Sequence, residues 1–250
     1  MNRSFFRTAL VAAALASLSV GAIAADSFIV GGEQITHVTE TGKRWEGAYV
    51  GVVGGNSIGT IQDVANPKAA SRDTNGVFGG VVAGHNWQLD NGVVFGIEGD
   101  VIAGGPKSEW AGNTTNQYDS YYGSDVVNGS ASVRARLGYN INDTLLPYVT
   151  AGVVGAHTTN TLGCDRSRVV ATNGCKTQFE DSSSQFVFGY TVGAGVELAV
   201  SDTVAVRTEY RYTKFNDNGV TLTDPNYPAL SGRNFASDSH AIMAGFTVKF

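Results

Sequence analysis

Ser239-His240-Ala241-Ile242-Met243-Ala244-Gly245-Phe246-Thr247-Val248-Lys249-Phe250 closes the chain. Ile242, Ala244, Phe246, Val248 and Phe250 fall on one phase of a two-residue period, and Met243, Gly245, Thr247 and Lys249 on the other. Successive side chains of a strand point to opposite faces, so the first set marks a face held against something apolar. A terminus carries so regular a strand when that strand is tied into a sheet. The opposite end has the layout of an export signal. Arg3 and Arg7 precede an apolar run from Ala9 to Val20, and Ala22-Ile23-Ala24 supplies small residues at a cleavage site. The run is shorter than the roughly 20 apolar residues of a membrane-spanning helix. Cleavage is expected after Ala24, with no cysteine there to carry a lipid anchor. The expected organisation is a signal peptide over 1–24, an N-terminal extension over 25–44 and a β-barrel domain over 45–250, set in an outer membrane.

Composition supports a membrane barrel over a soluble exported domain. The chain holds 32 Gly, 12 Phe and 10 Tyr, and only 16% of its residues are charged. Soluble domains average about 25% charged residues. A wall with half of its side chains against lipid accounts for the deficit. A net charge of −5 without a basic tract argues against nucleic acid as a partner. Cys164 and Cys175 sit close together in one polar segment of an exported chain, which predicts a disulfide stapling a loop. The alternative, a metal pair, lacks a neighbouring histidine.

Eight alternating segments follow the extension: Trp45–Ser57, Val77–Gln88, Val93–Ala103, Asn128–Tyr139, Leu145–His157, Gln185–Leu198, Val204–Phe215 and Ser239–Phe250. Each is close to the roughly 9–11 residues that a tilted strand needs to cross a bilayer. Their connections alternate in length. Leu89–Gly92, Asn140–Thr144 and Val200–Thr203 are short and built of Asp, Asn, Gly and Ser, which suit tight hairpins. Ile58–Gly76, Gly104–Val127, Thr158–Ser184 and Asn216–Asp238 are long and polar. Short periplasmic turns and longer extracellular loops characterise outer-membrane barrels. The expected fold is all-β, an eight-stranded antiparallel up-and-down transmembrane barrel; a lipocalin-like or sandwich core is the alternative.

The faces of the segments carry the same sense. Phe186, Phe188, Tyr190, Val192, Ala194, Val196 and Leu198 oppose Thr191, Gly193, Gly195 and Glu197. Val133, Ala135, Leu137 and Tyr139 oppose Arg134 and Arg136, while Val206, Tyr210 and Tyr212 oppose Arg207, Glu209 and Arg211. A charge on the lipid face costs a few kcal/mol near the midplane, so the charged faces are expected to line the lumen. Glu98 and Asp100 share that inward phase, and counting from the turns sets Glu98 level with Arg134 and Glu197 near Arg207. An eight-stranded interior is just wide enough for side chains. Glu98, Asp100, Arg134, Arg136, Glu197, Arg207, Glu209 and Arg211 therefore predict a plug of ion pairs; an ion path or proton-linked switch is the other reading. Trp45, Trp87, Tyr139, Tyr148, Tyr210, Tyr212 and Phe250, near segment ends, are expected in interfacial girdles.

Other chemistry finds little to stand on. His157 and His240 fall near the extracellular ends of their segments, where a haem could be held, but nothing in their spacing requires it. His85 is expected at the periplasmic interface, and His37 lies in the extension. Ser239 and His240 are adjacent and so on opposite faces of one strand, poor geometry for a nucleophile and its base. No G-x-S-x-G, H-E-x-x-H or P-loop occurs. No enzymatic activity, metal site or cofactor is expected.

Trp45-Glu46-Gly47-Ala48-Tyr49-Val50-Gly51, Gly79–Gln88, Phe95-Gly96-Ile97-Glu98-Gly99-Asp100, Ser132–Tyr139, Pro147-Tyr148-Val149, Tyr190–Glu197 and Glu209-Tyr210-Arg211-Tyr212 together resemble the small alphaproteobacterial outer-membrane proteins, which include surface antigens, porin-family proteins and haemin-binding proteins with an OmpA-like eight-stranded barrel. The resemblance covers nearly all of the chain after residue 44; it departs at the extension, at His85 and in the Cys164–Cys175 loop. It implies an envelope component with a structural and surface-interaction role, acting through four extracellular loops. A narrow diffusion porin or a haemin receptor is the alternative. The expected partners are outer-membrane lipid and lipopolysaccharide, the barrel-assembly machinery through Ile242, Phe246, Val248 and Phe250, and host or environmental ligands at the loops. The chain is expected to end at the barrel, without a peptidoglycan-binding domain.

Overall fold

The computed structural model describes residues 43–63, 72–111, 121–165, 177–220, 225 and 233–250. The expected signal peptide, all of the extension but Lys43 and Arg44, His37 and Cys175 lie outside the described residues. The strands are β1 (Gly47–Asp63), β2 (Arg72–Gln88), β3 (Val93–Gly104), β4 (Lys107–Ala111), β5 (Tyr121–Tyr139), β6 (Leu145–Cys164), β7 (Phe179–Ala199), β8 (Val204–Val220) and β9 (Arg233–Lys249). β3 and β4 both pair with β5 and follow one another along it, so they occupy a single position in the wall. The break between them lies at Gly104, whose φ of +79° is one that a side chain strongly disfavours. Eight positions therefore run antiparallel in the order β1-β2-β3-β5-β6-β7-β8-β9, and β9 pairs back onto β1. The sheet is a closed barrel without a free edge around its girth, the condition for strands to cross hydrocarbon.

Local chemistry sets the register at the periplasmic end. Gly92 takes φ +85° between β2 and β3, and Leu89 N–H donates to Val93 O at 2.8 Å. Asn142 and Asp143, at φ 53° and 52°, turn the chain between β5 and β6; these residue types tolerate that conformation best. Between β7 and β8 the Ser201 hydroxyl accepts the Val204 N–H at 3.1 Å. These turns agree with the short connections read from sequence, and the strands start and stop within two residues of the segments there.

The extracellular ends differ from expectation. β1 runs on to Asp63, β6 to Cys164 and β8 to Val220, while β2 starts at Arg72, β5 at Tyr121, β7 at Phe179 and β9 at Arg233. Each expected long loop thus begins as continued sheet. Above the membrane both faces meet polar surroundings, so the apolar alternation stops, yet the ladder continues from the strands already paired below. Ser and Thr side chains line it: Thr159 Oγ1 lies 3.0 Å from Ser184 Oγ and Thr161 Oγ1 lies 3.3 Å from Ser182 Oγ.

Outward and inward phases separate cleanly. Val81, Val101, Val133, Val153, Phe186, Phe188, Ile242 and Phe246 are exposed, whereas every charged residue of the central lumen is buried. Trp87 stacks on Phe95 at 5.3 Å and His85 lies 4.6 Å from Trp87, an aromatic belt at the periplasmic rim. Two expected girdle residues are instead internal: Trp45 is buried beside Val94, Leu146 and Ala205, and Tyr148 is buried in the lumen. Both carry a polar group that finds a partner inside, Trp45 Nε1 on Asn140 Oδ1 at 3.1 Å and Tyr148 Oη on Glu209 at 2.9 Å.

Phe250 finishes the closure. Its N–H donates to Ala48 O at 2.9 Å and its ring is exposed on the outer wall. Deleting Phe250 removes that bond and the last outward aromatic. The variant is expected to lose the mobility shift between unheated and boiled samples that a folded barrel gives; an unchanged shift in the membrane fraction contradicts this role.

Candidate functional site: a neutral ionic layer across the lumen

Four carboxylates and four guanidinium groups project inward from β3, β5, β7 and β8. Glu98 stands opposite Arg134 in the β3–β5 register, and Glu197 opposite Arg207 in the β7–β8 register. The contacts do not stop at neighbours. Arg207 Nη1 reaches Glu98 Oε2 at 2.7 Å, although β8 and β3 are four positions apart in either direction around the wall. Arg211 Nη2 reaches Asp100 Oδ2 across the same diameter at 3.1 Å. Arg134 binds Glu98, its neighbour, and Glu209 on β8 at 2.6 Å, with Asp100 at 3.1 Å. Arg136 Nη2 pairs with Glu197 Oε2 at 2.8 Å, and Arg207 Nη2 with Glu209 Oε2 at 2.7 Å. All eight side chains are buried.

Two tyrosines from the remaining wall complete the layer. Tyr49 Oη on β1 donates to Glu98 Oε2 at 2.6 Å and accepts from Arg136 Nη1 at 3.3 Å. Tyr148 on β6 donates to Glu209 and accepts from Arg207 Nη2 at 2.9 Å, and the Arg136 guanidinium lies 3.9 Å from its ring centroid. Glycines make room for both rings. A Cβ at Gly84 would sit 2.5 Å from Tyr49 Oη, and one at Gly195 would sit 2.7 Å from Tyr148 Cζ. Ser132 Oγ donates to Asp100 at 2.8 Å, and Thr150 Oγ1 accepts from Arg134 at 3.2 Å. Sequence reading missed Tyr49 and Tyr148 as members of this layer. Their phase was available: Tyr148 alternates with Leu146 and Thr150, all inward.

Apolar side chains bound the layer on both sides. Toward the periplasm lie Trp45, Val94, Leu146 and Ala205; toward the outside lie Val53, Val82, Ile102, Ala241 and Met243. Charges so enclosed require partners, because leaving one alone costs several kcal/mol. Here four acids balance four arginines.

The other candidate residues stay apart. His157 and His240 stand on the outer face of β6 and β9, three wall positions apart, or about 14 Å at ordinary strand spacing. His157 contacts Phe186 at 5.1 Å, and His240 Nδ1 lies 2.6 Å from Tyr210 Oη. One haem iron cannot take both. Ser239 is buried in the lumen while His240 faces outward. Cys164 is buried beside Tyr121 and Phe179; Cys175 lies outside the described residues. Ile242, Phe246 and Phe250 project from the outer face of β9 and its end.

A closed barrel with an apolar exterior and an ionic interior is the architecture of outer-membrane proteins. The profile of the outer membrane protein beta-barrel domain matches residues 10–250. The chain belongs to this outer-membrane β-barrel family. The 25 kDa outer-membrane immunogenic protein of Brucella canis is 31% identical over 244 residues, 96% of each chain. The 22 kDa outer membrane protein of Rhizobium leguminosarum bv. viciae is 31% identical over 207 residues, 82% of this chain and 78% of the relative. Among solved structures, Neisserial surface protein A is 18% identical with a TM-score of 0.40, over 82% of this chain and all of the other. The family and its alphaproteobacterial relatives locate the protein in the Gram-negative outer membrane.

Removing Arg207 takes a partner from three carboxylates, Glu98, Glu197 and Glu209. Arg207→Met is expected to destabilise the folded barrel by about 3–5 kcal/mol, the cost of breaking a buried pair. Urea unfolding in lipid vesicles measures it; a loss below 1 kcal/mol would show that water reaches Glu98 and Glu209 (roughly the range of exposed pairs).

Proposed function

We propose that the protein is a structural element of the outer membrane that seals its own lumen and presents its extracellular strand ends and connections to the surroundings. The observation behind this reading is the ionic layer whose members meet from opposite walls. A diffusion pore needs a continuous aqueous path, and here the path crosses Glu98, Arg134, Arg207 and Glu209, in direct contact with one another. The relatives described as immunogenic outer-membrane proteins support a surface-facing role. The reading includes no catalytic step and no bound cofactor. Its partners are outer-membrane lipid, the assembly machinery that receives the final strand, and host or environmental molecules at the extracellular side.

Cell physiology separates this role from that of a porin. A strain lacking the protein should become sensitive to large antibiotics and detergents while its uptake of small solutes is unchanged. Impaired small-solute uptake with an intact barrier would favour the porin alternative.

A Cys164–Cys175 bridge belongs to the same proposal, holding the outer end of β6 to the connection that follows. Denatured but unreduced protein should take up no maleimide, and reduction should expose two thiols per chain. Labelling without reduction contradicts the bridge.

A further inference from the structure

Above the ionic layer the wall divides into two sheets. β2 pairs with β3 as far as Phe78 and Gly104, and with β4 at Asn75 and Lys107. β7 pairs with β8 as far as Gly189 and Phe215. Beyond those points β4, β5, β6 and β7 continue as one sheet, and β8, β9, β1 and β2 as another. Each takes half of the wall positions, so the two seams lie on opposite sides of the barrel. The first seam is bridged, since Arg72 on β2 reaches Asp125 on β5 at 3.1 Å. At the second, Ser182–Phe188 of β7 pair with β6 and, among the described residues, with no strand on their other side.

Outward side chains along this edge change from Phe188 and Phe186 to Ser184, Ser182 and Glu180, so the edge climbs out of the lipid belt into water. Such an edge presents a row of N–H and C=O groups to any extended chain beside it. A cleft behind the seam is lined by Gln185 and Val187 of β7, Phe215 of β8 and, further across, Thr74, Asp125 and Thr158. Its volume of about 60 Å³ admits a few waters or one small side chain. The hydroxyls of Thr74 and Thr158 on its walls are buried and have no hydrogen-bond partner among the described residues. Buried polar atoms are seldom left so, which points to a partner that enters the cleft. Glu180 and Asp181 place two acids at the outer end of the edge, and no base occurs from Phe179 to Phe188. Lys214, below the seam on β8, faces Asp238 across the β8–β9 register.

We propose that the edge of β7 receives an extended, basic polypeptide segment from outside the cell, added as a further strand with its basic side chains outward beside Glu180 and its small polar ones toward the cleft. Main-chain hydrogen bonds to the edge supply affinity, and the alternate side chains supply selectivity. The inference deepens the surface-facing reading above and rests on it. The two fail separately, because the barrier phenotype of a strain lacking the protein does not depend on peptide binding to the purified barrel.

A fluorescent, capped octapeptide of alternating lysine and threonine, titrated against the folded full-length protein in neutral detergent and followed by anisotropy, tests it. Two isomers carry backbone N-methyl groups, one at every lysine and the other at every threonine. One isomer should bind about tenfold more weakly than the unmodified peptide and the other within about threefold of it, because alternate N–H groups of a strand point to opposite neighbours. Glu180→Gln should weaken binding about threefold, within the range of an opposite-charge pair across strands. Glu109→Gln, on β4 and away from the seam, should bind as the parent does. A retained mobility shift on heating identifies the folded variants. Hydrogen exchange gives a second readout: alternate amides of Ser182–Phe188 should exchange freely in the protein alone and become protected with the peptide. Absence of peptide binding, equal binding of the two methylated isomers, unchanged affinity in Glu180→Gln, an equal loss in Glu109→Gln, or protection of all those amides without peptide (a segment of the chain itself on the edge) overturns the proposal.

Discussion

Glu98 and Arg207 stand on diametrically opposed walls and meet at 2.7 Å. That contact is possible only because eight strands enclose a lumen one pair of side chains wide. It also imposes much of the rest. Charges shut away from water must be neutralised locally, so the layer carries four acids and four arginines, and Tyr49 and Tyr148 add hydrogen bonds to Glu98, Glu209, Arg136 and Arg207. The tyrosine rings fit only over glycine, at Gly84 and Gly195. Apolar clusters flank the layer above and below, and burial raises the cost of losing a contact.

The outer face obeys the opposite rule. Lipid admits Val, Leu, Ile, Phe and Ala, and the strands supply these on every second residue from the aromatic belt of Trp87 and Phe95 to the tyrosines and His240. Polarity returns where the bilayer ends. The strands do not stop there, however. β5, β6 and β7 continue as paired sheet through Ser, Thr and Asn, so the surface offered outside the cell includes ordered strand as well as the connections between strands. The surface-facing role proposed above and the ion-filled lumen both rest on one pattern, in which each strand sorts its side chains by solvent.

Most of the wall was legible in the sequence because period-two alternation and Asp/Asn/Gly turns act locally. The pairing of Glu98 with Arg134 followed from counting residues from Gly92 and Asn140. Contacts across the lumen were not legible in that way, since Arg207 and Glu98 share no turn and meet only after the wall closes. Tyr148 was misread for a related reason: an aromatic near a strand end suits a girdle, and only its phase shared with Leu146 and Thr150 reveals the inward direction. Trp45 precedes β1 and has no strand phase to count. The extracellular ends of the strands escaped notice because alternation reports lipid contact, whereas β-structure itself extends wherever a paired neighbour continues.

Planar-bilayer recording of the purified, folded protein tests the sealed lumen most directly. The account predicts no steady conductance from the parent barrel, and conductance that appears only when the layer is opened by Glu98→Ala together with Arg207→Ala. Steady ion flow through the parent at neutral pH, in channels of uniform size, would contradict it.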